Sequence, residues 1–311
     1  MLAFASLPAF AQPYPSKPIH LIVPTPPGST PDIVARTLAT KLQGAFSQPV
    51  VVENRAGAGG NIAAEAVVKS APDGYALFVG INAPVAINKY LYKALPYDPE
   101  KDLAPISLLA CAPQMLVVVP ELKLDTFRAF IDYARANPGR ISYGSVGSGS
   151  ASHLTMELLK SEAKIHAVHI PYRGFPPAVT DMLAGNIQAM FAIIPGVLPH
   201  VKAGKMKALA VTATRRSELA PDVPSVTELG YPQLESLAWI GLLAPAATPQ
   251  EVLARLSTET VRGMTAPDVR ELLGKQGFDV VASSPAEFQR WIGAESAKWA
   301  RVIKVSGATA D

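Results

Sequence analysis

Short β-branched apolar runs alternate with amphipathic segments along most of the chain, and this rhythm restricts the fold more than any other feature. Residues 19–24 (IHLIVP) read as a buried strand. Residues 31–42 carry Ile33, Val34, Leu38 and Leu42 at the spacing of an amphipathic helix. Residues 50–54 (VVVEN) return to strand, 61–70 to helix and 75–80 (YALFVG) to strand. A βαβαβ succession predicts a parallel, doubly wound sheet, because parallel neighbours need a crossover that a helix supplies. A second cycle follows, with strands at 114–119, 141–144, 168–171, 189–194 and 208–212. Its helices fall at 126–137, 151–162 and 178–184. From about Pro249 the pattern becomes helical, at 250–265, 267–276 and 285–305.

The chain has 311 residues, enough for two domains that each bury a core. The expected division is a first domain of residues 12–112 plus 232–311, with a second, residues 113–231, inserted in it. Segments 104–113 and 229–244 are the candidate linkers. Hydrophobic residues make up 49% and charged residues 17%, the balance of a folded globular chain. A net charge of +3, spread without runs, lacks the concentrated basic stripe of a nucleic-acid binder. The single cysteine, Cys111, sits in an apolar stretch and reads as a small buried hydrophobe. It has no local histidine or helix start to activate a thiol. Residues 1–11 (MLAFASLPAFA) end in the small-x-small pattern of a signal-peptidase site, so a signal remnant with maturation before Gln12 is expected. No later stretch reaches the about 20 apolar residues of a membrane span.

Two segments between a strand and a helix, one in each half, are the candidate binding loops. In the first, Pro27, Gly28 and Ser29 precede Thr30, read as a helix N-cap with Pro31 at the first helical position, where a missing N–H costs nothing. In the second, Ser145, Gly147, Ser148, Gly149, Ser150, Ser152 and His153 combine accessible backbone donors with hydroxyls. A helix start offers unpaired N–H groups and the positive end of the helix dipole to an anion. In an open α/β sheet, ligands lie beyond the carboxyl ends of the strands. Neither loop contains Lys or Arg, so the expected grip is by dipoles and hydroxyls. Asp32 either caps local N–H groups or meets a ligand ammonium.

Catalytic motifs are largely absent. No serine of the second loop has the glycine spacing of a nucleophile elbow. The segment Gly57-Ala58-Gly59-Gly60 departs from the dinucleotide fingerprint, and no phosphate-binding P-loop sequence occurs. His153, near several serines, is the best acid–base candidate, and a hydrolase using it with Ser148 or Ser150 is the rival reading. Tyr172 and Arg173 either enter the cleft or lie exposed beside a hinge. No metal or cofactor is expected.

The residues of these loops, with several others, resemble the Bug family of extracytoplasmic solute receptors, the binding components of tripartite tricarboxylate transporters. The resemblance rests on PTPPGSTPDIVAR (24–36), VVVENRAGAGGNIAAE (50–65), APDGYAL (71–77) and YGSVGSGSASHLTMEL (143–158). It extends to HIPYRG (169–174), KALAVTATRRSELAPDVPSVTELG (207–230) and APAATP (244–249). It implies two doubly wound α/β domains around a cleft, a type II periplasmic binding protein that closes on a small carboxylate. It also implies a periplasmic location, membrane permease subunits as partners and no enzymatic activity. A monomer is the default for such a closing receptor, and a sensory receptor feeding a two-component system would have the same pocket. The resemblance adds Asn82 and Ala83 after the third strand, and Ala192, Ile193 and Pro195 in the second domain, as contact residues. Many members carry Gly-Gly where this chain has Gly28-Ser29, and small polar residues where it has Ile81-Asn82-Ala83-Pro84. With Ile193, Ile194 and Pro195 also apolar, the expected pocket has a polar carboxylate end and an apolar far end. That favours a monocarboxylate or aromatic acid over citrate.

Overall fold

The computed structural model describes residues 14–310; the expected signal segment lies outside them. In the first half, β1 (Ile19–Val23), α1 (Thr30–Phe46), β2 (Val50–Asn54), α2 (Asn61–Val68) and β3 (Ala76–Ile81) form the expected βαβαβ unit, with β2-β1-β3 parallel. A short π-helical segment, Ala83–Ile87, leads into α3 (Asn88–Leu91), and then β4 runs from Leu103 to Val118. In the second half come α4 (Phe127–Ala136), β5 (Ser142–Ser145), α5 (Ala151–Ala163), β6 (Val168–Pro171), α6 (Phe175–Leu183), β7 (Ala189–Ile193), α7 (Ile194–Lys202) and β8 (Lys207–Val211). Strands β6-β5-β7 are again parallel. The chain returns through β9 (Leu237–Pro245) to α8 (Gln250–Met264), α9 (Pro267–Lys275), β10 (Asp279–Val280) and α10 (Pro285–Ser306).

The hydrogen-bonded path β2-β1-β3-β9-β4-β7-β5-β6 is mixed, not wholly parallel, because β9 and β4 run antiparallel to their neighbours. Of the segments expected as linkers, 104–113 lies wholly within β4 and 229–244 becomes strand from Leu237. Residues 103–113 of β4 pair with β9, and β10 joins the other edge at Ala110 and Cys111. From Gln114 onward the same strand pairs with β7 and β8 instead. The ladder accommodates Pro105 with a register shift between Pro105 and Ser107. Pro113 stands where β4 exchanges one set of partners for the other. An antiparallel pair satisfies backbone donors over a long path without a crossover.

Apolar packing follows the same division. Leu21, Val23, Val34, Leu38, Val79, Leu242 and Leu256 share one cluster; Leu116, Phe130, Leu154, Leu159 and Phe191 share another. Helix α10 contributes to both sides, with Phe288 and Ile292 packed beside Phe78 and Trp239, and Trp299, Val302 and Ile303 beside Leu154 and Leu158. Its N-terminus is fixed by a capping box in which the Ser284 hydroxyl accepts from the Glu287 N–H and the Glu287 carboxylate accepts from the Ser284 N–H. Gly241 is required beneath it, since a Cβ there would lie 2.1 Å from Phe288 Cζ.

Glu295, 5% exposed, sits in the middle of α10. Its Oε2 accepts the indole N–H of Trp239 at 3.1 Å and of Trp299 at 3.0 Å, and the Asn82 amide at 3.4 Å. Lys298 pairs with its other oxygen. Removing this acceptor strands two buried indole donors and an ammonium. Glu295→Leu is therefore expected to lower stability by about 3–5 kcal/mol, and Glu295→Gln, which keeps an acceptor oxygen, by clearly less. Urea unfolding midpoints of the three proteins check this.

Candidate functional site

The first loop is built around the Asp32 carboxylate, 2% exposed. Its Oδ2 accepts the Gly28 N–H at 2.8 Å and Arg36 Nε at 3.0 Å, and its Oδ1 accepts Asn54 Nδ2 at 2.9 Å. Asn54 Nδ2 also donates to the Thr25 carbonyl at 2.9 Å. Asp32 thus takes the local-capping role. Burial alone would raise its pKa, but hydrogen bonds from Arg36, Gly28 and Asn54 hold it below the ordinary carboxylate value. Ser29, not Thr30, is the N-cap, and its hydroxyl donates to the Pro26 carbonyl at 2.7 Å instead of capping α1. The reason is local: Thr25 Oγ1 lies 2.6 Å from Ser29 Oγ and closes the turn one residue earlier. Gly28 has φ +79° and open space where a Cβ would stand, and Pro27 is exposed beside it. The Gly28 N–H is consumed by Asp32. Among the described residues, the Thr30 and Asp32 N–H groups at the start of α1 have no acceptor.

The second loop satisfies most of its own hydroxyls. Ser150 caps α5, accepting the His153 N–H at 3.3 Å and donating to the Gly147 carbonyl at 2.6 Å. Ser152 Oγ accepts the Val146 N–H at 3.1 Å, and Ser145 Oγ accepts the Gly147 N–H at 3.2 Å. The Gly149 N–H donates to His153 Nδ1 at 3.0 Å. Only Ser148 of the four expected hydroxyl donors is exposed. Its hydroxyl and N–H, with the N–H groups of Ala151 and Ser152, have no protein partner among the described residues.

The two loops meet through elements that sequence reasoning passed over. A Cβ on Gly149 would lie 2.4 Å from Leu91 Cδ2, which sets the second loop against α3. Asn88 of α3 donates to the Gly59 carbonyl at 3.1 Å and to Asn61 Oδ1 at 2.6 Å. Gly60 in turn admits Pro84 and Pro24, with a Cβ there lying 3.0 and 3.1 Å from them. The segment 57–61 is therefore the bridge between the loops. Its signal was in the sequence as Gly57, Gly59 and Gly60, all at positive φ, whose closeness the missing side chains permit.

The remaining expected contacts are placed unevenly. Ala83 is partly exposed, but the Asn82 side chain is occupied, accepting the Trp239 N–H at 3.0 Å and donating to the Leu237 carbonyl at 3.0 Å. Ala192 is buried in β7 and Ile194 lies in the core. Ile193 and Pro195 stay partly exposed, and Pro195 packs against Gly277, where a Cβ would meet its Cδ at 2.6 Å. The apolar wall is thus narrower than the sequence suggests. Tyr172 donates to Asp181 at 2.7 Å, while Arg173 is exposed. Cys111 is buried, which raises its thiol pKa.

His153 is 4% exposed and bonds neither Ser148 nor Ser150 through its ring. The serine whose hydroxyl reaches a histidine in this loop is Ser145, at 2.7 Å from His169 Nε2, and Ser145 is fully buried. Two strand-to-helix loops that present backbone donors, with no accessible nucleophile–base pair between them, are the layout of a solute-binding protein.

The chain belongs to the tripartite tricarboxylate transporter family of receptors, whose family model matches residues 34–308. It is 38% identical over 302 residues to protein BugT of Bordetella pertussis, covering 97% of this chain and 93% of that one. An R. palustris protein solved with adipate superposes with a TM-score of 0.85 at 32% identity, covering 95% of this chain and 99% of the other. MatC from Rhodopseudomonas palustris, with bound malate, gives a TM-score of 0.82 at 30% identity, with coverage of 93% and 100%. The fold is accordingly an α/β fold of the type II periplasmic binding-protein kind, and the chain is a receptor, not an enzyme.

Asp32→Ala removes the acceptor that holds Gly28, Asn54 and Arg36 together, with an expected stability loss of about 2–3 kcal/mol at neutral pH. Because the folded-state pKa of Asp32 is depressed, its contribution is present above the unfolded value of 3.8 and is lost as pH falls through the lower folded value. The gap between wild type and Asp32→Ala should therefore narrow on acidification, as read from urea midpoints across an acid pH series.

Proposed function

We propose that this chain is an exported, periplasmic receptor that captures a small carboxylate and passes it to the membrane permease subunits of a tripartite tricarboxylate transporter. The carboxylate lies between the starts of α1 and α5, held by the N–H groups of Thr30, Asp32, Ser148, Ala151 and Ser152 and by the Ser148 hydroxyl. Two lobes, residues 12–112 with 232–311 and residues 113–231, close on it. The observation that carries this reading is the pair of helix starts with unpartnered donors, one in each half, linked through Asn88 and the 57–61 segment. The exchange of partners along β4 at Pro113 supports the lobe boundary. Among the described residues no helix is long and apolar enough to cross a membrane.

Ala83, Ile193 and Pro195 give the far end of the cleft its apolar character. The adipate and malate bound by related proteins agree with a ligand of one or two carboxylates on a short carbon frame. Calorimetry with adipate, malate, glutamate, nicotinate and citrate tests the reading. Binding of a mono- or dicarboxylate or an aromatic acid is expected, and Ser148→Asp, which sets a second anion beside the first, should weaken it at least about 100-fold. Tight binding of citrate alone would overturn the apolar-end reading. Unchanged affinity in Ser148→Asp would remove the second loop from the site.

A further inference from the structure

Behind the second loop lies a stack of three aromatic rings, with Tyr143 and His153 buried and His169 partly exposed. The His153 and His169 rings lie 3.9 Å apart at 11°, and Tyr143 stacks on His169 at 4.9 Å and 22°. The three rings come from α5, β6 and β5. Each histidine touches the loop backbone or a residue that holds it. His153 Nδ1 accepts the Gly149 N–H at 3.0 Å, and His169 Nε2 lies 2.7 Å from Ser145 Oγ. Ser145 Oγ in turn binds the Gly147 N–H at 3.2 Å and the Gly147 carbonyl at 3.1 Å. Gly147 and Gly149, at φ +127° and +77°, have little conformational preference of their own, so their geometry is set by these partners.

We propose that His153 and His169 act as positioning residues for the carboxylate loop, withdrawing the Gly149 amide and bracing Ser145 so that the Ser148, Ala151 and Ser152 donors are left aimed at the ligand, and that they do so only while His153 is uncharged. This rests on the carboxylate-receptor reading and adds to it the device that shapes the loop. An Nδ1 that accepts an amide hydrogen carries no proton, and protonating it turns the acceptor into a second donor facing Gly149. Two imidazolium rings stacked at 3.9 Å would also repel. The charged and titratable groups facing the stack are Glu157 and Lys160 on α5 and Tyr143 on β5. Glu157 Oε1 is occupied by the Tyr143 hydroxyl at 2.5 Å and Lys160 at 2.6 Å, and stands 4.0 Å from His153 Nε2.

Burial, and then the neighbouring His169 and Lys160, lower His153 to about 3; burial, offset by Glu157, lowers His169 to about 4. Both start from 6.5, so the unfolded chain takes up protons first as pH falls. The stack's contribution to stability is complete above pH 6.5 and is lost progressively towards the folded values.

Amide hydrogen exchange and imidazole ¹⁵N shifts, measured by NMR on the full chain without ligand, test the proposal. In wild type, His153 should be the neutral tautomer protonated on Nε2. The protection of Gly147 and Gly149 should fall as the solution is acidified from about pH 7 through about pH 4, before the core amide of Phe191 loses its own. His153→Leu should speed Gly149 exchange at least about tenfold at neutral pH. The double variant His153→Asn and His169→Gln keeps polar atoms for both contacts but cannot titrate, and should hold protection across the series. A proton on His153 Nδ1 at neutral pH would overturn the proposal, as would acid loss that is identical in wild type and the double variant. Unchanged Gly149 exchange in His153→Leu would do the same. The wild-type shifts decide the first point even if a variant fails to fold. Because no ligand enters this experiment, failure of every acid to bind would count against the carboxylate reading alone.

Discussion

The carboxylate of Glu295 gathers two indole N–H groups, an amide and an ammonium from β9, α10 and the end of β3 into one buried site. Its partners belong to both halves of the molecule. Trp239 packs with the first-half core beneath Phe288, and Trp299 packs with Leu154 and Leu158 of the second. A buried anion is costly unless all its lone pairs are used, and here the donors converge on both oxygens. The result is that α10 is held to both sheets at a fixed rotation, while β4 continues from one to the other. Asn82, held by Glu295 and the backbone of β9, closes the end of β3 and leaves Ala83 to face outward.

The same economy governs charge near the cleft. Asp32 would repel a bound carboxylate if its charge faced the ligand. Instead it turns away, spends one oxygen on Gly28 and Arg36 and the other on Asn54, and so is neutralised locally. In the second loop, Glu157 is neutralised by Lys160 and Tyr143 behind the histidine stack. Both helix starts thus keep their positive ends without a competing anion in front of them, which is the condition for dipoles and N–H groups to hold an anion unaided.

The parts of this arrangement that were legible in the sequence are those governed by local rules. Strands such as residues 50–54 and helices such as α5 announce themselves by periodicity and by their caps, and both strand-to-helix loops follow from the change of period at Val23 and Ser145. What was not legible depends on long-range pairing. The segments 104–113 and 229–244 were the candidate linkers, yet β4 and β9 complete each other's ladders across more than a hundred residues. Periodicity cannot reveal a partner so distant. Asn82 was a ligand contact only by the family resemblance, and the pairing of its side chain with the backbone of Trp239 and Leu237 shows that its amide is taken. Likewise His153 and His169, sixteen residues apart, gave no sign of stacking, since their meeting requires β5 and β6 to lie side by side in parallel.

A receptor must release what it binds, and the residues chosen for the two loops bear on this. A lysine or arginine aimed into the cleft would hold a carboxylate by a charge-assisted pair that strengthens as closure excludes water. Backbone N–H groups at helix starts make shorter-ranged, directional contacts, effective only when the loops are brought to the same oxygen atoms together. Opening of the cleft by even a few ångströms would separate the two sets of donors and leave each helix start with a weak share of the anion, of the order of a single dipole contribution, roughly 1 kcal/mol. Affinity in such a design depends on closure more than on any one side chain. On the proposed reading, coupling between ligand and lobe position would be built into the site, because neither half would bind well alone and the ligand's free energy would be realised only in the closed arrangement.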